Sequence, residues 1–289
     1  MEMHRSPASV ALTALYVPGD RTDRVRKALG SGADIVIVDL EDAVSADNKH
    51  RARLGMHSAL SDLAMGEQKV QVRVNPRGSI WHDADLAAVA HLPPHVEIRM
   101  PKVHAAEDVE RAQELLPGRH WHALIESPLG VENAFAIAQA GVSSIGLGEA
   151  DLCSALGLPP GLEANFGLAW ARSRIVNAAA AAGIVPPLMS VFTNVRDSEG
   201  LRASCTKGRM LGFLGRAAIH PSQLAPIRES FAPSTEEVVR ARETLTRVGE
   251  AAADSSGTVV LPDGSFLDAA MVEGAKRIVA INDSLTFRK

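Results

Sequence analysis

Cysteine is scarce: Cys153 and Cys205 are the only two in 289 residues. Two thiols cannot build a disulfide framework or a cysteine-rich zinc site, and such sparing use fits a reducing cytoplasm. Long hydrophobic runs are also missing. The N-terminal SVALTALYV is too short to span a bilayer and follows a weak charged region, so it reads as a β-strand and a soluble protein without a membrane partner is expected. Nor is there a run of one charge. The 34 acidic and 30 basic side chains are interspersed, with a formal net charge of −4, and no basic stripe offers to neutralise phosphates, which argues against nucleic acid.

What is present is apolar: 46% of residues are hydrophobic, enough for one large α/β domain or two small ones. Short runs rich in Val and Ile recur with Ala-rich, charged helical segments between them, the pattern of βα units on a parallel sheet. Eight such runs occur: TALYVPG (13–19), ADIVIVDLED (33–42), KVQVRVN (69–75), VEIRMPKV (96–103), HWHALIES (120–127), SSIGLGEAD (143–151), IVPPLMSVFT (184–193) and RMLGFLGRAAIHP (209–221). Eight units over roughly 220 residues predict a TIM (β/α)8 barrel rather than a doubly wound sheet of five or six strands. The pattern fails after about residue 225. A helical stretch, the hairpin-like VVLPDGSF and a final helix predict a C-terminal extension over 226–289, beside a barrel domain over 1–225.

Barrel chemistry sits where strands end, and six of the eight runs end in charge or imidazole. Asp39, Glu41 and Asp42 close the second, Arg73 the third, Lys102 the fourth, Glu126 the fifth, Glu149 and Asp151 the sixth, and His220 the eighth. Asp42 and Lys102 are expected to form plain ion pairs at the barrel mouth. Glu126 is the sharper case, because a carboxylate ending a buried strand needs a cation, several donors or water. It lies 25 residues before Asp151, one βα repeat, which predicts the two side by side at adjacent strands. Paired carboxylates without cysteines or clustered histidines suit a hard divalent ion, and Mg²⁺ accepts one or two carboxylates while completing its octahedron with water and substrate oxygens. The other reading pairs Glu126 with Arg73 and needs no metal.

Three other signals are discounted. GLGEAD (146–151) lacks the third glycine of a dinucleotide fingerprint and sits at the sixth strand, not in a first βα turn. His120 and His122 share a strand face but lack further zinc ligands. Lys102 could in principle form a Schiff base, although an ion-paired lysine is the commoner outcome.

Taken in order, LYVPG, VDLEDAV with ADNKHRAR, VRVNP, MPKV, IESPLG, GEADL and LGFLGRAAIHPSQ resemble the citrate lyase β-subunit-like family, which includes malyl-CoA, methylmalyl-CoA and citramalyl-CoA lyases. The resemblance spans nearly the whole chain and is specific as a set. It implies reversible carbon–carbon cleavage of a 3-hydroxyacyl-CoA thioester into an acyl-CoA and a 2-oxo acid, in a homo-oligomer such as a trimer or dimer of trimers. It further implies that Glu126 and Asp151 hold Mg²⁺, with Glu126 also near substrate, and that Arg73 contacts the oxo or hydroxy acid, held by Glu41. His220 joins the substrate-binding set, and backbone N–H groups of GLGEAD are candidates for the same oxygens. Asp268, in the context Gly264-x-x-x-Asp268, would act as acid/base from a C-terminal lid of a neighbouring subunit. Two departures stand out: Ser190 where the family often carries aspartate, and SPLG after Glu126. Alternatives are a citrate lyase β-like subunit acting on an acyl-carrier thioester or merely binding one, and a Mg²⁺ aldolase on free 2-oxo acids.

Overall fold

In a computed structural model the described residues are 10–66, 68–159, 164–253, 259–260, 266–267 and 269–286. The chain divides into two compact units, one spanning Ala11–Phe231 and the other carrying Ala232 onward with the N-terminal residues.

The first unit holds eight strands in one sheet: β1 (Thr13–Pro18), β2 (Ile35–Asp39), β3 (Lys69–Arg73), β4 (Glu97–Met100), β5 (Trp121–Ile125), β6 (Ser144–Leu147), β7 (Leu188–Met189) and β8 (Gly215–Ala218). Their order is β6-β5-β4-β3-β2-β1-β8-β7, and every pairing is parallel. Each falls within one of the eight apolar runs, and the helices that follow them complete a nearly closed TIM barrel.

The side chains explain why these runs became strands. Val36, Val38, Val70, Val72, Ile98, Ala123 and Ile125 are all buried, and they alternate with the residues that face the barrel interior. Each such aliphatic side chain of Val or Ile size contributes about 1.5–3 kcal/mol when removed from water. The barrel is least regular at β7, where Pro186 and Pro187 precede the strand and cannot donate to a ladder. No β6–β7 ladder forms. The Ser190 hydroxyl instead donates to the Leu147 carbonyl across that seam, and Arg216 Nε donates to the Ser190 carbonyl at 2.9 Å.

The interior is unusually polar at β3 to β5. Gln71, Glu97, Arg99 and His122 are all buried, where a TIM barrel ordinarily stacks bulky branched residues. His122 Nε2 lies 2.9 Å from Glu97 Oε2, and Nδ1 lies 2.7 Å from Ser144 Oγ. Burial pushes the His122 imidazole down to about 4, so the ring is neutral and donates to an ionised Glu97. Glu97 is held at about 2, against its burial, by His122, Lys69 and Gln71.

In the second unit, helices Thr235–Ala253 and Ala269–Thr286 carry the antiparallel pair β9 (Val259–Val260) and β10 (Phe266–Leu267) between them in sequence.

Candidate active site

A cavity of about 770 Å³ opens at the C-terminal strand ends and runs into the barrel. Arg73, Glu126 and Asp151 all line it, together with Asp39, Asp42 and Arg99.

Arg73, the last residue of β3, is gripped by Asp39, the last of β2: Nε to Oδ1 is 2.8 Å and Nη2 to Oδ2 is 2.6 Å. The two residues are register partners, so strand pairing itself sets this fork. Asp39 outweighs the desolvation of the buried guanidinium and holds its pKa above the ordinary value. Glu41 and Asp42 approach the outer nitrogen Nη1 at 2.9 and 3.0 Å. Glu41 thus stands beside Arg73 as expected, but the bidentate holder is Asp39, whose role the sequence reading left unassigned. Its signal was there: Ile35, Ile37 and Asp39 share the inner face of β2 by strand alternation. Asp39 also accepts the N–H groups of Glu41 and Ala43, which fixes the loop that carries Glu41. From behind, the buried Lys49 ammonium donates to the carbonyls of Leu40 and Glu41 and to Asn75 Oδ1 at 2.7–2.8 Å.

Glu126 follows β5 and is buried. Among the described residues its one hydrogen bond is from the Lys102 backbone N–H to Oε2, at 3.0 Å, and no ion pair joins it to Arg73. Burial, reinforced by the carboxylates of Glu41 and Asp151, pushes Glu126 up to about 8. Gly148 makes room for it: a Cβ there would overlap Glu126 Oε1 and lie 2.8 Å from Cδ. Asp151 sits in the first turn of helix Glu149–Leu156, one turn beyond the end of β6. The N–H groups of Glu149, Ala150 and Asp151 have no intrahelical acceptors, because they open a helix, and they belong to residues of the cavity wall. Glu149 itself is taken up by Arg172, Nη2 to Oε2 at 2.6 Å and Nε to Oε1 at 2.7 Å.

Lys102 links the acidic residues. Its Nζ lies 3.2 Å from Glu41 Oε1 and 3.5 Å from Asp151 Oδ2, while its N–H bonds Glu126. Among the described residues it alone combines a side chain with a positive φ, +54°, a conformation costing on the order of 1–3 kcal/mol that the surrounding contacts must impose. Both Glu41 oxygens are buried at ion-pair distance from cations yet meet no donor in hydrogen-bond alignment. Burial pushes the Glu41 carboxyl up to about 7 despite Arg73 and Lys102.

The structure does not bring His220 to the cavity wall: it is exposed, caps the 3-10 turn Pro221–Gln223, and its Nδ1 meets Ser222 Oγ at 2.8 Å. Asp268 lies outside the described residues. His120 and His122 each meet a serine of the β6 region and form no metal cluster; among the described residues no group of three His, Cys, Asp or Glu could hold a metal on its own. A site of two carboxylates must therefore draw its remaining ligands from water or substrate.

Residues 12–221 match the model of the HpcH/HpaI aldolase/citrate lyase family. The chain belongs to that family. Within the HpcH/HpaI family it is 34% identical over 272 residues to a (3S)-malyl-CoA thioesterase of Cereibacter sphaeroides, covering 93% of each chain. It is also 31% identical to an L-malyl-CoA/beta-methylmalyl-CoA lyase of the same species, covering 94% of this chain and 95% of the relative. Among solved structures, the CitE protein of Mycobacterium tuberculosis in complex with magnesium, acetoacetate and coenzyme A superposes with a TM-score of 0.80 at 30% identity, over 96% of this chain and 100% of that one.

Proposed function

We propose that this protein is a Mg²⁺-dependent carbon–carbon lyase that cleaves, or in reverse condenses, a 3-hydroxyacyl-CoA thioester of the malyl type, giving an acyl-CoA and a 2-oxo acid. The observation that carries the reading is Glu126: a buried carboxylate in the cavity of Arg73, crowded by Glu41 and Asp151, with one backbone N–H and no ion-pair partner among the described residues. A divalent ion fits that deficit. Glu126 and Asp151 would hold it, and when bound Mg²⁺ supplies Lewis-acid stabilisation of the oxygen that becomes the new carbonyl.

The remaining tasks fall to the chain. In the cleavage direction a base takes the hydroxyl proton, the carbon–carbon bond breaks as the carbonyl of the 2-oxo acid forms, and the electron pair passes to the thioester as an enolate, which is then protonated on carbon. Arg73 has five N–H groups, of which Asp39 and Asp42 take three; the second on Nη1 stands beside Glu41 at 2.9 Å, and the second on Nη2 is left for a substrate oxygen. Because Asp39 fixes the fork in advance, no reorganisation is needed as charge develops there. The open N–H groups at Glu149–Asp151 suit a carboxylate of the 2-oxo acid. Asp268 is proposed as the proton carrier, closing over the site from a neighbouring subunit.

A second reading is thioester hydrolysis, favoured by the similarity to a malyl-CoA thioesterase. Assay of the purified protein with malyl, methylmalyl and citramalyl thioesters, with and without EDTA, separates the two. A 2-oxo acid and an intact shorter acyl-CoA identify the lyase; a free thiol and the intact hydroxy acid identify the hydrolase.

A further inference from the structure

Tyr16 is the only tyrosine in the chain, and the fold sets it on the cavity wall. It shares the inner face of β1 with Ala14 by strand alternation, and both line the cavity of Arg73 and Glu126. Its ring packs against the aliphatic cluster of Ala14, Ile35 and Ile37. On its other side the Arg73 guanidinium stands over it, with Cζ 5.1 Å from the ring centroid. Because Asp39 fixes Arg73, this cation–π stack fixes the ring in turn.

The hydroxyl is left over. Among the described residues it has no hydrogen-bond partner, although a tyrosine inside a barrel ordinarily finds one. The side chain is part-exposed, and the space it meets is the cavity. Burial raises the phenol above its ordinary pKa although Arg99 and Arg73 pull the other way, so it keeps its proton at neutral pH and is a donor. Arg73, with its free N–H on Nη2, borders the same space. These two donors belong to β1 and β3, whereas the acids suited to Mg²⁺ follow β5 and β6. The oxygen they serve is therefore not the one on the metal.

We propose that Tyr16 is a catalytic residue whose hydroxyl donates a hydrogen bond to the thioester oxygen of the substrate, on the side of the cavity away from the metal. Resting on the lyase reading, this makes Tyr16 and Arg73 a pair of donors for the enolate. As the carbon–carbon bond breaks, its electron pair forms the enolate double bond and the π pair of the thioester carbonyl moves onto oxygen. The phenol O–H stabilises that charge and keeps its proton.

Tyr16→Phe tests this, because it removes the hydroxyl alone and keeps the ring under Arg73. With Mg²⁺ and whichever of the malyl, methylmalyl and citramalyl thioesters is turned over, kcat should fall roughly 10²–10³-fold, the loss typical of one oxyanion donor, while KM stays within about threefold. The melting temperature, and the calorimetric affinity for Mg²⁺ with glyoxylate or pyruvate, should match the wild type, since neither involves the thioester oxygen. A wild-type kcat in Tyr16→Phe, or a loss confined to KM or to stability, overturns the donor. Product analysis separates this claim from the lyase reading. Hydrolysis would charge the same oxygen in its tetrahedral intermediate, so free coenzyme A as product with a kcat loss in Tyr16→Phe keeps the donor and discards the lyase. Carbon–carbon cleavage at the wild-type rate in the variant keeps the lyase and discards the donor. No turnover of any of the three thioesters by the wild-type protein overturns both.

Discussion

Asp39 holds Arg73 through two parallel contacts, Nε to Oδ1 at 2.8 Å and Nη2 to Oδ2 at 2.6 Å, between two strand ends paired in register. The pair is buried, and without the Asp39 charge Arg73 keeps only Glu41 and Asp42, both on its outer nitrogen. Asp39→Asn is expected to destabilise the barrel by about 3–5 kcal/mol and to slow turnover, because Arg73 is then held through Nη1 alone and its fork is no longer fixed. Arg73→Lys keeps the charge and loses the fork, and should cost roughly 10²–10³ in kcat if Arg73 meets the developing oxyanion. Denaturant melts and steady-state kinetics read the two effects separately. An Arg73→Lys variant with wild-type kinetics would return Arg73 to a purely structural pairing.

Glu126→Gln and Asp151→Asn should each abolish Mg²⁺ binding in the presence of a 2-oxo acid and leave the fold intact. Calorimetry with Mg²⁺ is the measurement. Undiminished metal binding in both variants would sink the assignment.

Gly148→Ala asks the same question from the opposite side. The new Cβ would overlap Glu126 Oε1, so the carboxylate must move. Overpacking of this kind costs about 1–3 kcal/mol, and the expected result is a Mg²⁺ affinity at least about tenfold weaker with an otherwise normal circular dichroism spectrum. Unchanged affinity would mean that Glu126 does not sit where a metal needs it.

His122 and Glu97 set an acid limit on stability. The unfolded chain takes up the imidazole proton near pH 6.5, whereas the folded barrel refuses it until about pH 4. In that window the unfolded state binds more protons, so stability is full above pH 6.5 and falls as pH drops, by an amount on the order of 3 kcal/mol. Glu97, held at about 2 against an ordinary 4.5, extends the loss below pH 4.5. His122→Gln keeps a donor for Glu97 but cannot titrate, so its stability should be flatter between pH 6.5 and 4. Parallel curves for both proteins would show that His122 does not carry the effect.

The barrel was legible because parallel strands buried on both faces read as continuous apolar runs, and all eight appeared. β7 shrank to Leu188–Met189 because Pro186 and Pro187 interrupt its ladder. The acidic ends of β5 and β6 were readable from spacing, since one βα repeat separates Glu126 from Asp151. What spacing could not give was who pairs with whom: whether Arg73 turns to Asp39 or Glu126 depends on register across strands. Lys102 was expected to form a simple ion pair; its left-handed backbone, which lets it touch Glu41, Asp151 and Glu126 together, leaves no mark in sequence. Arg99 did leave one. Glu97 and Arg99 stand at period two in VEIRMP, and charges on the inner face of a barrel strand signal an interior that is not packed with hydrocarbon.

The central claim is metal-dependent carbon–carbon cleavage, and the most direct measurement is a product balance on malyl-CoA and its methylated relatives. The account predicts one equivalent of 2-oxo acid and one of the shorter acyl-CoA per thioester consumed, no free thiol, and full loss of turnover with EDTA restored by Mg²⁺. Release of free coenzyme A with the hydroxy acid intact, or cleavage that persists in EDTA, would contradict it.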